Sequence, residues 1–327
     1  MTQKGAAAKG ANAKKRLTTA APMILSYNLN GAAASQALRS PPNGAAAQDA
    51  PINEVSGEEA VMLIGKRGAA ASAISTADPL GVTVRGRDLA GELMGSETFT
   101  EFFFFLATGR MPSAEQRFFL DLALVAIAEH GLTPSVQAAR MTYAADPAAL
   151  QGAVAAGVLG CGTVILGSAG EARALIDDVL KRVDAGATPD EAAEAAARER
   201  RAAGRPLAGF GHPLHKPVDA RAERMIALAR ERGVAGRGVD AATRLAAAAA
   251  RVWGKPLPMN VSMAIAATLR DVDAPVMLTR GAPILARVAG LIAHLAEEAE
   301  TPIGFYMASQ AEEAIAYSGT QAAEAKR

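Results

Sequence analysis

The residues best suited to chemistry are concentrated in one run, Arg205-Pro206-Leu207-Ala208-Gly209-Phe210-Gly211-His212-Pro213-Leu214-His215-Lys216, followed by Asp219 and Arg221. Its glycines and prolines exclude an ordinary helix. Gly209 and Gly211 around Phe210 would expose backbone N–H groups and a flat ring, suited to stacking a nucleotide base. His212 and Arg221 can engage carboxylates, Arg in planar bidentate geometry. The same composition also fits a surface loop whose histidines are merely solvated. His130 follows a helical pattern and precedes Gly131. It reads either as a helix C-cap, where a cationic ring complements the dipole, or as part of a site. Arg287 lies in the apolar helical stretch 283–298, where a charged residue on a buried face requires a partner. A bound carboxylate would be one. His294, on the same stretch, reads as a structural histidine.

The elements that must position these residues are helices. The chain has 327 residues, 50% of them hydrophobic, enough for a substantial core in one large or two ordinary domains. Aromatics are only 4% while Ala and Leu abound, which favours helix and predicts very little strand. With 34 basic and 33 acidic residues, nothing global steers the protein to nucleic acid or an anionic membrane, so a local site must carry function. The single cysteine, Cys161, excludes an intrachain disulfide and a multi-cysteine metal site, and it fits a reducing, cytoplasmic compartment. With only 4 His, no metal site is expected.

Five helix starts are marked chemically. Thr98 with Glu101 and Ser113 with Gln116 are capping boxes, and Thr133-Pro134, Asp146-Pro147 and Thr188-Pro189 set an N-cap oxygen before a proline. In 116–129, Phe118, Phe119, Leu122, Ala123, Val125 and Ala126 keep close to a 3.6-residue period, which predicts one core face. The run 102–105, four phenylalanines, reads as deep core. Residues 147–170 carry no charge and reach the length of a membrane span, but Gln151 and six glycines make a buried central helix the better reading. From 171 to 254 the helices become shorter and more charged, with Gly204 as a C-cap, and apolar helix returns after Pro258. A large domain, 59–166 and 258–327, interrupted by a small one, 167–257, would leave a cleft between them for a substrate. The first 48 residues contain no acidic residue, and 1–54 reads as a disordered, basic Ala/Gly-rich tail, with order expected from about Val55.

From about Val82 to Glu298 the chain resembles citrate synthase and, more closely, the citryl-CoA lyases, including the related domain of ATP-citrate lyase. Val84-Arg85-Gly86-Arg87-Asp88-Leu89, then Phe99-Thr100-Glu101 and Leu106-Ala107-Thr108-Gly109, are similar to the family's opening segment and its helix. Glu129-His130-Gly131 resembles the element that contributes a polycarboxylate-binding histidine, and Gly209-Phe210-Gly211-His212 with Asp219 and Arg221 resembles the family's G-Y-G-H and D-P-R signature. Asn260-Val261 stands at the N-V-D position, and Arg287 at the arginine of the following helix. The resemblance implies an all-α, two-domain citrate synthase-like fold, a homodimer, and a carbon–carbon lyase that converts citryl-CoA or a related thioester to acetyl-CoA and oxaloacetate. It implies a polycarboxylate site of His130, His212, Arg221 and Arg287 and a CoA site of Leu207, Ala208, Gly209, Phe210 and Gly211. CoA would enter as substrate, with no tightly bound cofactor. An exposed helical face around 147–166 would suit a dimer interface.

Two departures bear on the reaction. The synthase histidine of P-L-H-G-G corresponds to Leu166 in Val164-Ile165-Leu166-Gly167-Ser168, which cannot donate a hydrogen bond and so favours a lyase over a synthase. The family's catalytic Asp is replaced by Ser262, which cannot act as a carboxylate base. Losing one acid–base group costs about 10²- to 10⁴-fold. Three readings follow: a citryl-CoA lyase in which His212 or a water held by Ser262 moves the proton; a lyase or a citrate/2-methylcitrate synthase-type enzyme for another acyl-CoA; and a protein that binds CoA and polycarboxylate but has lost turnover.

Overall fold

Side-chain capping sets the starts of five of the twelve α-helices among the described residues. The computed structural model describes residues 71–319, apart from Pro213 and the side chain of Val164. The expected basic tail 1–54, the onset of order near Val55 and the chain past residue 319 lie outside the described residues. A small antiparallel sheet comes first: β1 (Ser75–Asp78), β2 (Gly81–Val84) and β3 (Arg87–Asp88), in that order. Arg85 and Gly86 join β2 to β3 with positive φ of 49° and 83°, the conformation a two-residue hairpin turn needs. Arg85 Nη2 donates to the Leu106 carbonyl at 2.7 Å, which holds the hairpin against the first helix.

Everything after it is helical: α1 (Phe99–Thr108), α2 (Ala114–Ala128), α3 (Pro134–Ala145), α4 (Leu150–Leu159), α5 (Gly162–Ile165), α6 (Ser168–Asp184), α7 (Pro189–Ala202), α8 (Ala220–Glu231), α9 (Arg237–Trp253), α10 (Val261–Asp271), α11 (Val276–Glu300) and α12 (Gly304–Ala314). The fold is all-α. Thr98, Ser113 and Thr188 each cap their helix in a reciprocal capping box with the residue three positions on. Gln116 does more than complete its box. Its Nε2 donates to the carbonyls of Val272 and Asp273 at 3.0 and 3.1 Å, pinning the start of α2 to the turn between α10 and α11. Thr133 precedes α3 with Pro134 in the first turn but makes no side-chain cap. Gly204, with φ +65°, follows the C-cap of α7.

Several expectations are corrected. Asp146-Pro147 starts no helix: Asp146 closes α3, its Oδ1 accepts from the Ala148 N–H at 3.2 Å, and α4 begins at Leu150. Pro283 lies inside α11, not at its start. On α2 the buried face runs through Phe119, Leu120, Ala123 and Ile127, and Val125 is exposed. The uncharged segment from 147 is not a buried central helix. α4 buries only Ala153 and Gly157, while Leu150 and Leu159 face outward, because only its small side packs against α3 and α11. The buried central helix is α10, whose residues from Val261 to Leu269 are all buried.

One continuous core joins α2 and α10 to α6, α7, α8 and α9, and a smaller one joins α3 and α4 to α11 through Val136, Ala139, Ala153, Leu291 and Leu295. The breaks at 166/167 and 257/258 fall in the connections before α6 and before α10. α11 is long and apolar enough to cross a bilayer by length and composition. It packs instead between α2, α3, α4 and α6, and carries Arg287 and Glu298 on its buried face.

Arg140 of α3 and Glu298 of α11 are both buried, and Arg140 Nε donates to Glu298 Oε2 at 2.7 Å. Burial pushes the Glu298 carboxyl up, but hydrogen bonds from Arg140 and from the N–H groups of Ile303 and Gly304 outweigh it and hold the group below its ordinary value. A carboxyl depressed in the folded state stabilises above its unfolded pKa and loses that contribution as pH falls through the folded value. Glu298→Gln leaves Arg140 without its buried partner and is expected to cost about 3 kcal/mol at pH 7, and less in acid, by urea denaturation. A loss that does not shrink at low pH would show that packing, not charge, is responsible. Gly290→Ala tests how α11 meets α2. An added Cβ would collide with the carbonyl oxygen of Ala128, just before the Glu129-His130 segment. The roughly 0.5–1 kcal/mol usually gained by Gly→Ala in a helix should therefore become a loss of about 1–3 kcal/mol in the same measurement.

Candidate active site

The functional side chains are placed by two helix N-termini that share one carboxylate. Asp219 caps α8, with Oδ1 accepting the Arg221 N–H at 3.1 Å, and its Oδ2 also accepts the N–H of Val261, the first residue of α10, at 3.1 Å. The same carboxylate takes a two-point contact from the Arg221 guanidinium, Nε to Oδ1 at 3.0 Å and Nη2 to Oδ2 at 2.9 Å. Burial pushes Asp219 up, and Arg221 with the two N–H groups more than compensates, so it is held below the ordinary aspartate range. Asn260 caps α10 and donates from Nδ2 to the Gly211 carbonyl at 2.9 Å, while its N–H donates to Gly209 O. The loop before α8 is thereby stitched to the start of α10.

These elements enclose a cavity of about 650 Å³. His130, His212, Arg221, Ser262 and Arg287 all line it, brought together from the end of α2, the loop before α8, α8, α10 and α11. Of the expected CoA loop only Gly211 reaches this wall. Leu207 and Gly209 are buried, Ala208 is half-buried, and Phe210 packs on the main core and pairs with Met259 in an isolated β-bridge. Gly209 has φ +82° with Met263 so close that a Cβ would lie 2.6 Å from the methionine Cβ, so the glycine is required by both conformation and contact. A second cavity, about 370 Å³, is lined by residues of α8 and α9 and by Asp219.

Arg287 is 3% exposed, and its Nε and Nη1 have no hydrogen-bond partner among the described residues. Leu166, at the place of the synthase histidine, is buried. Ser262 Oγ lies 2.7 Å from Ser168 Oγ, and Ser168 donates to the Ile165 carbonyl at 2.8 Å. Ser168 therefore accepts from Ser262, whose hydroxyl keeps only lone pairs for the cavity.

His215, three positions after His212 in a non-helical run, carries no role in the family motifs quoted above. The rings of His130, His212 and His215 form one cluster, with centroids 5.3, 5.0 and 4.3 Å apart. His212 Nδ1 accepts the N–H groups of Leu214 and His215 at 3.1 and 3.0 Å, which leaves its proton on Nε2. His130 Nε2 and His215 Nε2 are 2.8 Å apart, a hydrogen bond that needs one proton between them. Ring nitrogens of the three lie within 4.8 Å of one another, a spacing within reach of a metal ion. His212, however, spends its lone pair on backbone N–H groups, and two arginines line the same cavity, so the chemistry of the donor set suits an anion. Burial first, then the positive fields of Arg221, His215 and Arg287, hold His130 below its ordinary pKa. Burial, His215, His130 and Arg221 do the same to His212.

Residues 98–304 match the family of the citrate synthase C-terminal domain. The chain belongs to the citrate synthase family. Its structure is similar to that of citryl-CoA lyase from Hydrogenobacter thermophilus, at 28% identity and a TM-score of 0.68, over 78% of this chain and 96% of that one. It also resembles ATP citrate lyase from Methanothrix soehngenii in complex with citrate and coenzyme A (20% identity, TM-score 0.62, 79% of this chain and 43% of that one). Citrate synthase from Thermoplasma acidophilum, in its complex with carboxymethyl coenzyme A and oxaloacetate, follows at 21% identity and TM-score 0.54, over 71% and 58% of the two chains. These two likenesses speak for the fold. A search of curated protein sequences returns no match.

Burial and neighbouring cations disfavour a charge on His130 and His212, and the His212 Nδ1 lone pair is already taken by two N–H groups. The arginines are therefore expected to hold the anion, with binding of citrate at pH 7 taking up much less than one proton. Calorimetry in buffers of different ionisation enthalpy reads the uptake directly. Uptake of a full proton would show that an imidazole becomes charged on binding.

Proposed function

We propose that this citrate synthase family member is a citryl-CoA lyase-like enzyme, cleaving citryl-CoA or a related 3-hydroxy-3-carboxy acyl-CoA to acetyl-CoA and oxaloacetate. The observation that carries this reading is Arg287. A guanidinium at 3% exposure with two unpartnered nitrogens on a cavity wall is costly unless an anion completes it. Arg221 faces the same cavity but is already paired with Asp219, so it adds donors and field without a free charge. His212 presents an N–H, suited to holding the oxygen that changes from hydroxyl to ketone. The likeness to a citryl-CoA lyase over 96% of its length, and Leu166 in place of the synthase histidine, support cleavage over condensation.

In this proposal the thioester lies along the loop of Leu207, Ala208, Gly209, Phe210 and Gly211, and 167–257 acts as a small domain that closes on the substrate. A second copy of the chain covers the outward face of α4, making a homodimer. Ser262 favours one competing reading, a pocket that binds CoA and polycarboxylate without turnover, because a serine supplies no carboxylate base.

The test is to add citryl-CoA to the purified protein and follow oxaloacetate by coupled reduction with malate dehydrogenase and NADH. Steady cleavage is expected, and Arg287→Leu should lower kcat/KM by about 100-fold or more, as for loss of a charged hydrogen-bonding partner. No cleavage, with a raised Tm in citrate or CoA, overturns the lyase reading in favour of binding alone. Ser262→Asp separates the two further: a large gain in cleavage marks a pocket that has lost its base, whereas a loss marks Ser262 as part of working machinery.

A further inference from the structure

Among the described residues, the cavity wall holds no carboxylate, yet retro-aldol cleavage needs a base for the tertiary hydroxyl. Asp219 is committed to Arg221 and two helix N-termini. Ser262 is an alcohol whose proton is engaged, and His212 presents N–H rather than a lone pair. His130 remains. Its Nε2 is bonded to His215 Nε2 at 2.8 Å, and no hydrogen bond to its Nδ1 is made among the described residues. If His130 carries its proton on Nε2, donated to His215, its Nδ1 lone pair is free for substrate.

Resting on the lyase reading above, we propose that His215 is a positioning residue that holds His130 in this tautomer and makes His130 the base of the cleavage. The substrate O–H bond breaks as an N–H bond forms at His130 Nδ1. The carbon–carbon bond to the thioester α-carbon then breaks, its electron pair forms the acetyl-CoA enolate, and the carbinol carbon becomes the ketone of oxaloacetate. The enolate carbon takes the proton back from the His130 imidazolium, so the hydroxyl proton ends in the new methyl group and the pair returns to neutral. While His130 is charged, its Nε2 proton can shift toward His215. That spreads the charge away from Arg221 and Arg287, whose fields oppose a cation on His130.

Two variants test it in the citryl-CoA assay. His215→Leu removes the acceptor and is expected to lower kcat by about 10²- to 10⁴-fold with KM changed by no more than a few-fold. His215→Gln, whose side-chain oxygen still accepts from His130, should recover part of the loss. Imidazole ¹⁵N spectra should show His130 protonated on Nε2 in the wild type and in His215→Gln, and a tautomer mixture in His215→Leu. A wild type that cleaves while His215→Leu cleaves within about threefold of it overturns this proposal alone. So does His130 found protonated on Nδ1. A wild type that cleaves nothing overturns the function and this inference together. Uptake of one Co²⁺ with imidazole-ligand absorption, lost in His215→Leu, also overturns it, because a metal would hold the lone pairs assigned here to proton transfer.

Discussion

The site depends on the buried carboxylate of Asp219. At 1% exposure it accepts from the Arg221 N–H, the Val261 N–H and two guanidinium nitrogens, so one side chain takes a free N–H from the start of both α8 and α10 and orients a cavity arginine. A buried charge this fully paired is hard to displace, since removing one partner typically costs about 3–5 kcal/mol. The loop that carries His212 is therefore tethered at both ends, by the cap of α8 and by Asn260 at the start of α10. Ser262, two residues into α10, is positioned by the same contacts.

Arginine is used in two opposite ways around this frame. Arg140 is as buried as Arg287, but it is closed off by Glu298 and Glu297 and joins α3 to α11. Its network continues through His294 to Glu129, whose Oε2 lies 3.0 Å from His294 Nε2 and whose Oε1 accepts the N–H of His130. That chain of contacts anchors the segment carrying His130. Arg287, on the same helix α11, has no such closure, and the missing counter-charge is the structural sign of an anion site. Together the two arginines show why burial alone does not mark a functional residue, whereas an unpartnered buried charge on a cavity wall points to a ligand.

In the proposed cleavage, proton chemistry falls to imidazoles. A family pattern with a carboxylate at position 262 would place a negative base beside the substrate. Here that position is a serine bonded to Ser168, and two of three clustered histidine rings, His130 and His212, line the cavity. A neutral imidazole is compatible with that field, because Arg221 and Arg287 oppose a charge on His130.

The all-helical class, the capping boxes at Thr98 and Ser113 and the cap at Thr188 were legible from residue types and short spacings, and five cavity residues, His130, His212, Arg221, Ser262 and Arg287, from the family resemblance of their motifs. Capping is decided within four residues of chain, so local chemistry suffices. The burial of α4 was not legible, because an uncharged run does not say which side its neighbours cover, and only Ala153 and Gly157 found partners. Nor was the inward turn of Phe210, which follows from its pairing with Met259 across the loop. His215 was in view but without a role, since its partner His130 is 85 residues away in the chain. The tautomer of His212 and the bare guanidinium of Arg287 are set by which groups meet in space, and only the tertiary structure decides that.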